Sequence, residues 1–351
     1  MSIQLPSLDQ LIESYLICCM TEGKSPKTIE YYSYTLRRFY RFLEAQYLTT
    51  LPTEIGVTEA RRFVLYLQKS AIRWEDNPRI SDKKSLSPFT IQAYVRAIKA
   101  FWTWLFNEGF LNDNMMSALK IPKAPKKVVN TFTQEQIQRM IKAINQKTLR
   151  GFRDYLIILI LLDTGIRLSE LMGLAIDNID FGQNCFLVHG KGNKERLVPF
   201  GSRVRHVLWQ YIRNIRPEPR FDDIKQVLLT DNGYPLRPRA VQIMINRLGK
   251  QVGISGVRCS PHTFRHTFAK NYLLLGGDVF SLQRILGHSS LEVVKLYINL
   301  AASDISDQHR RYSPVDNIAS TKVKYYSSSL DQQNRIAIRS VSRTRVHNVL
   351  T

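Results

Sequence analysis

"SPKTIEYYSYTLRRFYRFL", residues 25–43, and "SPFTIQAYVRAIKAFWTWL", residues 87–105, are two copies of one pattern. Both begin Ser-Pro-x-Thr-Ile-x-x-Tyr, and both end on an aromatic residue followed by Leu. Serine then proline opens a helix: the serine caps, and proline fits the first turn, where its missing N–H is not needed. Ile29, Tyr32, Leu36, Phe39 and Leu43 fall at helical spacing, as do Ile91, Tyr94, Ile98, Phe101 and Leu105, so each copy carries one apolar stripe. These aromatics are expected in a core, not around a cofactor. Arg37, Arg38, Arg41, Arg96 and Lys99 lie mostly off the stripes.

Working outward, "IRWEDNPRISDKKSLSP" between the copies reads as a polar loop. "IPKAPKKVV" (Ile121–Val129) has two prolines, three lysines and no periodicity, so it reads as a basic linker. "TFTQEQIQRMI" opens another helix, with Thr133 and Gln136 at capping-box spacing. "FRDYLIILILLDTG" is a buried helix stopped by Gly165, and "RLSELMGL" restarts one. "CFLVHGKGNKERLVPF" alternates around a turn at Gly190–Asn193 and predicts a β-hairpin. "VLLTDNGYPL" predicts a second. From Pro261 the chain is helical again. The stretch from Lys322 on is basic and lacks strong periodicity. The expected architecture is mainly α with small β-hairpins, in two domains: a helical one over 1–120, the linker over 121–130, a mixed α+β domain over 131–316 and a basic tail over 317–351.

The chain has 351 residues, 44% of them apolar, with 50 Lys and Arg against 29 Asp and Glu, a formal charge of +21. A chain this basic repels itself, and a polyanion is the natural partner. Nucleic acid leads over an anionic membrane. The longest aliphatic run, Leu156–Leu162, is too short to span a bilayer, and the N-terminal stretch lacks the pattern of a signal peptide. Four cysteines (Cys18, Cys19, Cys185 and Cys259) form no C-x-x-C pair, so reduced thiols in a cytoplasmic protein are expected. Lys27, Arg37, Arg38, Arg96, Lys99, Lys123, Lys126 and Lys127 are candidate DNA-binding residues. For the helix residues, a solvated charged face is the plain alternative.

The chemistry-bearing residues come late and in order. Arg167 follows a helix break in "DTGIRLSEL". Lys191 sits at the hairpin turn in "HGKGNKER". His262 and Arg265 lie one helical turn apart in "PHTFRHTF". His288 follows a glycine in "LGHSS", and Tyr297 ends "HSSLEVVKLY". Each has an ordinary reading when taken alone: an ion pair of Arg167 with Glu170, a solvated turn lysine, packed or exposed histidines, a packed helix tyrosine. His262, His266 and His288 also allow a zinc site, but no H-E-x-x-H glutamate is present and Arg265 would bring a cation beside the metal.

In sequence, these motifs resemble the tyrosine recombinases: phage integrases, Xer-type resolvases and transposon recombinases. The resemblance runs from about Ser7 to Val315, and "TGIRLSEL", "GKGNKER" and "LGHSS" are close to Xer-like wording. It implies a SAM-like helical core-binding domain followed by a mixed α+β catalytic domain. It maps the catalytic set onto Arg167, Lys191, His262, Arg265, His288 and Tyr297, with Glu170 orienting the arginines. It implies a 3′-phosphotyrosyl intermediate on double-stranded DNA, a homotetramer on two duplexes, no metal and no other cofactor. Lys194 is the rival for Lys191; Tyr272 and Tyr312 are the rivals for Tyr297. An accessory directionality factor fits the class.

"YINLAASD" departs from the wording common after the tyrosine. No arm-binding domain precedes the first helix, the loop between the echoing helices is long, and a tail follows Asp316. These departures point to an integrase or transposase of a mobile element over an Xer-type chromosome or plasmid dimer resolvase. A type IB topoisomerase and a non-catalytic DNA-binding regulator are further alternatives. The lysine-rich linker suggests two domains clamping a duplex, and the tail is expected to dock on a neighbouring subunit.

Overall fold

The computed structural model describes residues 6–72, 84–125, 129–190 and 195–287, together with 309, 313 and 315. Lys126, Lys127, Lys191, Lys194, His288, Tyr297 and Tyr312 lie outside the described residues. The chain divides into two compact units, Met1–Val128 and Val129–Thr351.

The first unit is built from α1 (Leu8–Thr21), α2 (Pro26–Ala45), α3 (Val57–Lys69) and α4 (Pro88–Asn107). The echoing segments are α2 and α4. Ser25 accepts from the Thr28 N–H and Ser87 from the Thr90 N–H, each followed by proline in the first turn. The stripe of α4 is buried throughout; in α2, Leu36, Phe39 and Leu43 are buried and Ile29 and Tyr32 half-buried. The two meet around Phe39, whose ring lies edge-on to Trp102 at 5.8 Å and 4.9 Å from Phe63 of α3. Burying side chains of this size stabilises by about 1.5–3 kcal/mol each. Ile72 and Ser85 pair in one antiparallel bridge, which closes the base of the loop between α3 and α4.

The second unit starts with α5 (Gln134–Lys142), whose capping box of Thr133 and Gln136 is present. Its centre is α6 (Leu149–Thr164), in which every residue from Phe152 to Leu161 is buried, Arg153 and Asp154 among them. Gly165 stops α6 in the left-handed conformation, φ 58°. The short α7 (Leu168–Gly173) follows two residues later. Then come three antiparallel strands in sequence order: β1 (Ile179–Asp180), β2 (Cys185–His189) and β3 (Glu195–Pro199). The predicted hairpin is β2–β3, closed by the pair His189 and Glu195, with Nδ1 and Oε1 3.2 Å apart. The strand β1 was not expected; two residues carry no readable alternation. The predicted second hairpin is narrower than expected: one bridge, Leu229 to Pro235, around a turn at Gly233. Helices α8 (Ser202–Gln210, continuing as a π turn over Tyr211–Ile215), α9 (Pro238–Gln251), α10 (Pro261–Leu274) and α11 (Val279–Leu286) complete the unit. α10 packs on α6, and α11 packs on β3 and α10. Among the described residues no helix is long and apolar enough to cross a membrane.

Candidate active site

The αL turn at Gly165 swings the chain so that Arg167 becomes the N-cap residue of α7. Glu170, at the third position of α7, reaches back to the Arg167 backbone N–H at 2.9 Å and takes its Nη1 at 2.8 Å. This is the returning half of a capping box, fixed by spacing alone. Arg265 comes from the second turn of α10, where Ser260 and Pro261 set the start of the helix. It is 5% exposed; its Nη1 donates to the Gly165 carbonyl at 2.7 Å and its Nη2 to the Leu286 carbonyl at 2.6 Å. Arg167 donates through Nη2 to the Gly287 carbonyl at 2.9 Å. Two arginines 98 positions apart in sequence therefore hold adjacent carbonyls at the end of α11, immediately ahead of His288 in the chain.

A third arginine closes the cluster, and sequence reading missed it. Arg196 on β3 donates to both oxygens of Glu170, each at 2.8 Å, and through Nε to the Ile285 carbonyl at 2.8 Å. The register sets Arg196 opposite Val188, which is buried, so its side chain faces the interior. The signal was in the alternation: Arg196 and Val198 share a face of the strand. Glu170 is 8% exposed. Burial pushes its carboxyl up, but the hydrogen bonds from Arg196, then those from the Arg167 side chain and backbone, hold it at about 2. It is a carboxylate at any physiological pH.

His262 is exposed in the first turn of α10 and His266 half-buried one turn on. Among the described residues no three His, Cys, Asp or Glu side chains gather as metal ligands; His288, the third member of the zinc alternative, lies outside them. Tyr272 has its hydroxyl 2.7 Å from that of Ser281, and its ring fills the space where a side chain at Gly277 would go. It holds α10 to α11. Lys191 falls in the sequence between β2 and β3, the latter bearing Arg196, and lies outside the described residues.

The candidate DNA-binding residues separate into groups. Lys27, Arg37, Arg96 and Lys123 are exposed, with Arg37 ion-paired to Glu13. Arg38 departs from the expected exposed face. It is 6% exposed, its guanidinium lies 5.8 Å from the Tyr94 ring centre, and Nη1 lies 3.3 Å from the Tyr94 hydroxyl. Lys99 also turns inward: its ammonium donates to the carbonyls of Met116, Ser117 and Leu119 at 2.7–2.9 Å and holds the turn after α4. Neither presents its charge as the helical wheel suggested.

The architecture is that of the tyrosine recombinases. The Tn1549 transposon integrase, solved in complex with circular intermediate DNA, superposes with a TM-score of 0.66 over 87% of this chain and 98% of its own, at 22% identity. The profile of the phage integrase family matches residues 130–304. Tyrosine recombinase XerC of Oceanobacillus iheyensis is 29% identical over 299 residues, 84% of this chain and 93% of the relative. Tyrosine recombinase XerD of Listeria innocua is 25% identical over 310 residues, 88% of this chain and 99% of the relative. Residues 130–304 are thus a phage integrase family domain.

Proposed function

We propose that the chain is a site-specific DNA recombinase whose nucleophile is Tyr297. The observation that carries this reading is the meeting of Arg167 and Arg265 on the last carbonyls of α11, one residue before His288. A phosphodiester under attack becomes a crowded, doubly charged oxyanion. Guanidiniums whose planes are already fixed bind it without reorganising, and each such donor is worth about 10²–10³ in rate. In the first step the Tyr297 phenolic oxygen attacks phosphorus and its proton passes to His262. The bond from phosphorus to the 5′ oxygen breaks, and Lys191 protonates that leaving oxygen. His288 donates to a phosphate oxygen. A 3′-phosphotyrosyl bond and a free 5′-hydroxyl result, and attack by the 5′-hydroxyl of another strand reverses the step. Four copies holding two duplexes, with an accessory protein setting direction, complete the reading, in the cytoplasm.

For the biological setting, the Xer relatives at 24–29% identity favour an Xer-type resolvase. The mobile-element reading expected from sequence keeps one point of support, the likeness to the Tn1549 integrase, which at 22% identity extends to fold alone.

The test is covalent trapping on supercoiled DNA with chelator present, quenched in detergent, with Tyr297→Phe in parallel. A chelator-resistant adduct lost in the variant is expected; an adduct in both would move the nucleophile elsewhere. Mapping adducts on total host DNA separates the settings: one chromosomal or plasmid locus for a resolvase, the two ends of an element for an integrase.

A further inference from the structure

The ion pair at the arginine cluster poses a problem that its third arginine solves. Glu170 orients Arg167 through two hydrogen bonds, one from the side chain and one from the backbone. A buried carboxylate 2.8 Å from a guanidinium also cancels the charge that a phosphate would be drawn to. Alone, the pair would present a nearly neutral group to an anion. Arg196 covers the same carboxylate with a two-pronged bond, one nitrogen to each oxygen. Parallel forked contacts of this kind are the strongest that a carboxylate makes. Arg196 also lies under the backbone that receives Arg167. A Cβ at Gly287 would stand 3.0–3.1 Å from the Arg196 guanidine group, and the Ile285 carbonyl accepts from its Nε. Both anchors of Arg167, the Glu170 carboxylate and the Gly287 carbonyl, thus rest on Arg196.

We propose that Arg196 is a positioning residue: it neutralises Glu170, so that Glu170 aims Arg167 without spending the positive charge that Arg167 offers the scissile phosphate. This rests on the recombinase reading above. Arg196 touches no reacting atom; it acts through Glu170 and Gly287.

The test is the single-turnover rate of covalent cleavage by the full chain, at saturating protein, on a nicked DNA site that traps the adduct. DNA affinity and the thermal midpoint are measured alongside. Arg196→Gln should slow cleavage on the order of 10- to 100-fold, the range seen when a reacting group is slightly misplaced, with a much smaller change in affinity. Glu170→Gln should slow the wild-type chain. In the Arg196→Gln background the same Glu170→Gln change should speed cleavage, because it removes an uncompensated negative charge beside Arg167. A purely structural role gives no such reversal of sign. Arg196→Lys, which keeps the charge but not the fork, should fall between wild type and Arg196→Gln. It decides the matter if Arg196→Gln does not fold: slowing of about 100-fold or more with the charge kept would overturn the proposal. Cleavage by Arg196→Gln at the wild-type rate, or further slowing when Glu170→Gln is added to it, would overturn it too. Wild-type adduct formation that depends on Tyr297 is scored first, so failure of the recombinase reading and failure of this inference give different results.

Discussion

Replacing Glu170 by Gln removes one charge and little volume, and its cost should depend on pH in a way the site dictates. The Glu170 carboxyl falls from an ordinary 4.5 to about 2 in the folded chain. That difference corresponds to roughly 3 kcal/mol of stability at neutral pH. A depressed carboxyl stabilises above its unfolded value and loses that contribution as the pH falls through its folded value. The gap between wild type and Glu170→Gln should therefore be roughly 3 kcal/mol at pH 7, shrink to roughly 1–1.5 kcal/mol at pH 3, and vanish below pH 2. The reading must report the second unit alone, and the tryptophans allow it. Of the four, Trp74, Trp102 and Trp104 fall in the first unit and Trp209 in the second. Trp209 packs edge-on against Phe181 at 5.1 Å. Urea titration of 5-fluorotryptophan-labelled chain, followed by the fluorine resonance of Trp209, gives the stability of that unit at each pH. A gap that stays the same between pH 7 and pH 3 would show that the loss on substitution is one of packing, and would refute the charge argument.

Gly165→Ala should destabilise the same unit by roughly 2–5 kcal/mol, combining the left-handed backbone with overpacking. A Cβ there would stand 2.3 Å from Phe268 Cδ1 and 3.0 Å from Leu286 Cδ2; the Trp209 titration reads it, and a change under about 1 kcal/mol would contradict the geometry. Replacing Lys123, Lys126 and Lys127 together by Ala should lower the slope of log Kd against log salt by up to about 3, if all three meet phosphates. Arg38→Met should leave that slope unchanged and instead lower the urea midpoint of the Trp102 resonance, since Arg38 is inside the first unit.

What was legible in the sequence was whatever short-range spacing controls. Ser-Pro starts and apolar stripes gave α2 and α4; the break at Gly165 and the alternation around residues 185–200 gave the scaffold of the site. Arg38 and Lys99 were misplaced because periodicity gives an angle on a helix and not what stands opposite. Arg38 faces Tyr94, 56 residues away on another helix, and Lys99 finds three carbonyls only because the chain folds back at Met116–Leu119. Arg196 was overlooked for a different reason. Its residue type argues for the surface, while its strand position beside Val198 argues for the interior, and only the buried carboxylate of Glu170 reconciles the two.

The end of α11 shows why three arginines gather where they do. A helix leaves its last four carbonyls without partners inside the helix and gathers negative potential there. In α11 the Gly287 N–H, placed by a φ of 63°, serves the carbonyls of Gln283 and Arg284. Those of Ile285, Leu286 and Gly287 go to Arg196, Arg265 and Arg167, from three different elements. The same bonds that cap the helix fix the planes of the guanidiniums, so orientation for an anion comes with the folding of the domain. Among the described residues, three guanidiniums stand against one carboxylate, and carbonyl dipoles offset only part of that excess. The cluster keeps net positive charge in a partly buried place, and a phosphodiester is the kind of group that relieves it.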